Sequence, residues 1–126
     1  MDVKFYKCMH CGNIAVKVFD AGVPLVCCGE KMTELIPNTT DAATEKHVPV
    51  VTVAGNQVTV AVGSVEHPML PEHFITNIIL ETDKGYHLAA LHPAEKPQAV
   101  FLLPEGEAPV AAYEYCNLHG LWKAEI

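Results

Sequence analysis

Four of the chain's five cysteines lie in its first 36 residues, as Cys8-Met9-His10-Cys11 and, after fifteen intervening residues, Cys27-Cys28. A segment that short cannot bury enough apolar surface to fold alone, so a metal bound there would also supply folding energy. A CxxC turn aims two sulfurs at one centre. Gly12 and Gly29, directly after the two cysteine pairs, let the backbone bend past it. Four thiolates around one point suit tetrahedral iron or zinc, and cysteine ligands alone do not choose between the two. The adjacent pair is unusual, because neighbouring side chains diverge, and it predicts distorted angles at the metal. The competing readings are a disulfide or buried free thiols. An odd cysteine count argues against a fully paired disulfide framework.

With 126 residues the chain is one ordinary domain, or one small domain plus a tiny one, and half of its residues are hydrophobic. The formal net charge is −7, from 15 acids against 8 bases, with no run of Lys or Arg. Such a surface repels phosphate backbones and excludes nucleic acid as an expected partner. No segment approaches the ~18 to 20 apolar residues that span a bilayer, and the start, MDVKFYKC, has no signal-peptide stretch. The expectation is a cytoplasmic protein without membrane contact. In that compartment clustered cysteines are more often metal ligands than disulfides.

Almost nothing in the chain has helical period. KFYKC, NIAVKVF and MTELI are short strand-like runs, and PNTTDAATEK, residues 37–46, is polar, opens with proline and reads as a linker. After it, VPVVTVAGNQVTVAVG alternates on both sides of AGNQ, which predicts a hairpin. FITNIILET and YHLAALH flank DKG, QAVFLL and VAAYEY flank PEGEAP, and LWKAEI ends the run. About seven strands at ~8 to 12 residue spacing predict an antiparallel β-sandwich, with a small barrel as the alternative. HPMLPEH, with two prolines, is a loop or a single helical turn. The expected organisation is a metal-clipped domain over 1–36, a linker over 37–46 and a mainly β domain over 47–126.

Six of the seven histidines fall after residue 46. His47 follows the linker, His67 and His73 bracket the two-proline loop, and His119 stands three residues beyond the fifth cysteine, Cys116. Four loop histidines and one cysteine point to a second metal site. A plain buried cysteine remains open, and so does Cys–His nucleophilic catalysis, although no orienting third residue is evident. Structural zinc closes at four ligands. Five protein ligands would leave one octahedral position free, and a thiolate among imidazoles narrows the metal to iron or zinc. A free position opposite a thiolate parallels thiolate-ligated haem and points to redox chemistry on oxygen.

At this point the motifs resemble a known family. CxxC-x15-CC, DAATEKHVPV, GSVEHPM and EYCNLHGLWK, in this order over nearly the whole chain, are similar to those of the desulfoferrodoxins, the two-iron superoxide reductases. The resemblance implies a desulforedoxin-like domain joined to an immunoglobulin-like sandwich, usually in a homodimer. It implies an iron held by Cys8, Cys11, Cys27 and Cys28. A second iron would have His47, His67, His73 and His119 in its equatorial plane and Cys116 as axial ligand. The reaction would be one-electron reduction of superoxide to hydrogen peroxide, with a small donor such as rubredoxin, and zinc could stand in for iron. Glu45 matches a glutamate that takes the free position in the ferric state. Lys46 matches a lysine that supplies local positive charge and organises protons. Read without the resemblance, Glu45 and Lys46 are a solvated pair. The backbone N–H groups of Leu118 and His119 are expected to point at the Cys116 sulfur. Tyr115 and Trp122 are packing or near-site residues, and His10, His87 and His92 are surface or strand residues.

Three other functions use the same residues. One is a zinc-clipped β module without enzymatic activity. The second is a rubredoxin-like electron carrier with a structural second site. The third is a superoxide dismutase, which would release oxygen as well as peroxide and need no external reductant.

Overall fold

The computed structural model describes residues 3–126; Met1 and Asp2 of the MDVKFYKC stretch read above for a signal peptide lie outside the described residues. The chain divides into two compact units, Met1–Ile36 and Pro37–Ile126. Among the described residues no helix is long and apolar enough to cross a membrane.

The first unit is built from five short strands: β1 (Phe5–Lys7), β2 (Ile14–Val16), β3 (Val26–Cys27), β4 (Glu30–Lys31) and β5 (Thr33–Leu35). β1 lies between β2 and β5 in an antiparallel sheet, and β3 pairs with β4 as a separate ribbon. The CxxC turn follows β1, and its Gly12 N–H donates to the Cys8 carbonyl at 2.9 Å. Cys28 has φ of +53° and Gly29 has φ of +75°. This left-handed step, rare for a cysteine, lets two neighbouring sulfurs face the same side.

The second unit opens with one helical turn, α1 (Thr44–His47), followed by β6 (Pro49–Ala54), β7 (Gln57–Val62), β8 (Ile75–Thr82), β9 (Gly85–Ala90), β10 (Gln98–Leu102), β11 (Pro109–Cys116) and β12 (Gly120–Glu125). One sheet runs β10-β7-β6, the other β12-β11-β8-β9, and all pairs are antiparallel. The chain crosses between sheets after β7, β9 and β10, which is the immunoglobulin-like arrangement. Both hairpins expected from sequence form, around Gly55-Asn56 and Asp83-Lys84. Val58, Val60 and Val62 alternate inward from β7 and meet Ile78 and Leu80 of β8, Phe101 of β10 and Ala112 of β11.

Residues 37–46 belong to the second unit. The Asn38 side chain accepts from the Lys123 N–H at 2.8 Å and donates to the Lys123 carbonyl at 3.1 Å. α1 closes with a Val48 N–H to Thr44 carbonyl bond of 2.9 Å. HPMLPEH is a loop with one tight bridge between Leu70 and His73.

Candidate metal centres

The first centre gathers Cys8, Cys11, Cys27 and Cys28, whose sulfurs lie within 4.8 Å of one another, with no disulfide among them. Cys11 Sγ is 3.6 Å from Cys27 Sγ, and Cys27 Sγ is 3.9 Å from Cys28 Sγ. Backbone N–H groups of Cys11 and His10 pull the Cys8 thiol down to about 6. The nearby Cys11 and Cys8 sulfurs push Cys28 up to about 12, and they also raise Cys27. One thiolate therefore forms readily and its neighbours resist following it, a conflict that a cation at the centre removes.

The second centre lies at one end of the sandwich. α1 carries His47, the loop between β7 and β8 carries His67 and His73, β11 ends at Cys116, and the turn from β11 to β12 carries His119. Glu45's carbonyl anchors α1 to the β7 loop by accepting from Val65 N–H at 2.8 Å and from Ser64 Oγ–H at 3.2 Å. The approach is so close that a Cβ on Gly63 would stand 2.6 Å from that carbonyl oxygen, so only glycine fits there.

The four imidazoles form a closed circle in the order 47, 67, 73, 119. Successive ring centroids are 4.7, 4.7, 5.1 and 4.9 Å apart, and successive planes are 78° to 86° from parallel. All five donor atoms, Cys116 Sγ included, lie within 4.8 Å of one another. His47, His67 and Cys116 are buried, His73 and His119 are half-buried, and Glu45 and Lys46 are exposed. Cys116 is part of the apolar core, so the thiol approaches the circle from the sandwich interior.

This donor set fits a metal. His47 Nδ1 lies 2.7 Å from the Ala43 carbonyl, and His67 Nδ1 lies 2.6 Å from the Pro68 carbonyl. A carbonyl only accepts, so both Nδ1 atoms carry the proton and both Nε2 atoms present lone pairs. Those Nε2 atoms stand 3.2 Å apart, and His47 Nε2 is 3.1 Å from His119 Nδ1. Converging lone pairs repel unless a cation lies among them. Protons are poor candidates, because burial pushes His67 down to about 4 and also lowers His47 and His73. His73 Nε2 is buried without a partner. Carbonyl-anchored imidazoles are how proteins orient metal ligands, and four imidazoles with one thiolate exceed what structural zinc takes.

Burial raises the Cys116 thiol, and the backbone N–H groups of Leu118 and His119 hydrogen-bond its sulfur and oppose that rise. His10 and His92 lie on the surface, His87 pairs with Glu107 at 3.0 Å, and none of the three belongs to either donor group. Sequence reasoning passed over Asn117, whose side chain bonds the His73 segment. It also passed over Glu114, a buried carboxyl two residues before Cys116. An Asn in a tight turn, which habitually bonds nearby backbone, was the available signal for the first.

The family model described as desulfoferrodoxin matches residues 39–125, and that for the desulfoferrodoxin N-terminal domain matches residues 2–35. Among curated relatives, the desulfoferrodoxin of Clostridium acetobutylicum is 46% identical over 99% of this chain and 98% of its own length. That of Nitratidesulfovibrio vulgaris is 47% identical over 97% of this chain and 95% of its own. Among solved structures, the superoxide reductase from Treponema pallidum aligns with a TM-score of 0.84 at 38% identity, covering 99% of this chain and 100% of that one. The chain belongs to the desulfoferrodoxin family.

Proposed function

We propose that this chain is a superoxide reductase, which takes up one electron and two protons per superoxide and yields hydrogen peroxide without releasing oxygen. The observation that carries the reading is the circle of four imidazoles met from the core side by one buried thiol. The name of the Treponema pallidum neighbour supports the same activity. His47, His67, His73, Cys116 and His119 would hold one iron, and Cys8, Cys11, Cys27 and Cys28 would hold a second. Iron bound at the five-donor site would supply the one-electron redox chemistry.

The chain's residues do the rest. Leu118 and His119 amides temper the charge on the Cys116 sulfur. Lys46, exposed beside the circle, gives an anionic substrate a local positive target on a chain of net charge −7. The charge of Lys46 reaches the circle, since it helps to lower His73 after burial and His119. By the family resemblance, Lys46 would also help to organise the protons the reaction consumes. Glu45, exposed on the same turn, offers a carboxylate that would be a further ligand for the metal, as the resemblance to the family implies. A small donor such as rubredoxin, a homodimer and a cytoplasmic setting complete the reading on the strength of the family.

The test is product analysis with a defined superoxide flux and an external reductant. The proposal requires one reductant electron and one peroxide per superoxide, with no oxygen. Oxygen release without reductant consumption would mean dismutation. No consumption of superoxide, with both centres full of iron, would mean electron carriage. Zinc alone in a colourless protein would mean a structural module.

A further inference from the structure

We propose that Asn117 is the positioning residue for His73, an inference that rests on the metal-site reading above. His47 and His67 are each oriented by their own Nδ1–H bond to a carbonyl oxygen. His73 is not: its Nε2 is buried without a partner, and no ring bond to a carbonyl holds it among the described residues. Apart from the edge-to-face contacts with the His67 and His119 rings, its orientation is set by its backbone. Two contacts fix that backbone. One is the bridge to Leu70, with N–H to carbonyl bonds of 2.9 and 3.0 Å. The other is Asn117, on the turn between Cys116 at the end of β11 and β12, which also carries His119. Asn117 Oδ1 accepts from Phe74 N–H at 2.9 Å, and Asn117 Nδ2–H donates to the Glu72 carbonyl at 3.0 Å. The Asn117 N–H adds a bond of 3.2 Å to the Phe74 carbonyl.

A single amide thus grips the residues on both sides of His73 and registers them to the segment holding two other donors. Neither Asp, which cannot donate to Glu72, nor Ala reproduces the grip. Removing a group that orients a metal ligand lowers metal affinity about 10- to 100-fold.

The experiment uses the full iron-loaded chain and follows loss of iron from the five-donor site to a chelator. Near-ultraviolet circular dichroism of Trp122, which lies in the same unit as Asn117, reports that the sandwich remains folded. Asn117→Ala is expected to release iron about 10- to 100-fold faster, with Asn117→Asp between it and the wild type. Combining Asn117→Ala with His73→Ala should add nothing to His73→Ala alone. In metal-free protein, nitrogen-resolved imidazole NMR should show the His73 ring signals shifting in Asn117→Ala while those of His67 stay. An unchanged release rate with unchanged His73 signals would overturn the assignment, as would effects of the two substitutions that add in full. If the wild type takes up no iron at this site, the functional reading falls. The NMR comparison then decides on Asn117 by itself.

Discussion

Trp122 lies face-on to His47, with ring centroids 4.9 Å apart and planes 29° from parallel, while its indole N–H donates to the His119 carbonyl at 3.1 Å. One buried side chain therefore braces two donors that stand 72 residues apart in sequence. Trp122→Phe keeps an aromatic face and loses the N–H, whereas Trp122→Leu loses both. Metal affinity at the five-donor site, measured by chelator competition, should fall about 10- to 100-fold in the Leu variant and less in the Phe variant. Wild-type affinity in Trp122→Leu would show the indole to be core filling alone.

Lys46→Ile removes the exposed cation beside the circle and leaves the five donors in place. The second-order rate with superoxide should drop about tenfold, and its decline with ionic strength should flatten. Both are read from superoxide decay at several salt concentrations. An unaltered rate with an unaltered salt slope would remove Lys46 from the account.

Glu114 is fully buried, and neither carboxyl oxygen has a partner. Burial pushes its carboxyl from the ordinary 4.5 up to about 9, so at neutral pH it is protonated in the fold and ionised in the unfolded chain. A raised folded value means that its contribution to stability is fully present below 4.5 and is lost as pH rises towards 9. Glu114→Gln has no proton to hold, and should be more stable than the wild type by about 3 kcal/mol at pH 7. That gain should shrink towards zero near pH 4.5 in urea titrations of metal-free protein. A gain independent of pH would mean that the carboxyl does not titrate in this window.

Much of this architecture is readable in the chain because the needed residue types are rare. Cysteine pairs and loop histidines stand out, and the structure brings the donors named from sequence within 4.8 Å in each group. The β6–β7 hairpin is legible because β7 alternates between core and half-exposed faces. β11 shows no such alternation, since its last six residues are all buried. α1 could not be read, because a single helical turn has no period to detect. The two-residue strands around Cys27-Cys28 are too short for any pattern. For Asn117 and Trp122 the residue type is legible as a turn residue and a packing or near-site residue, but their partners, Glu72 and His47, are set by folding and leave no local spacing behind. The circular order of the imidazoles is equally a product of which loops the sandwich brings to one end.

The central claim is that Cys116 is the thiolate of a redox iron site, and the visible spectrum before and after full oxidation tests it most directly. A second sulfur-to-iron absorption band, distinct from that of the four-cysteine centre, should appear only on oxidation and vanish in Cys116→Ser. Iron present at the five-donor site with no such band, or a band that survives Cys116→Ser, would contradict the account.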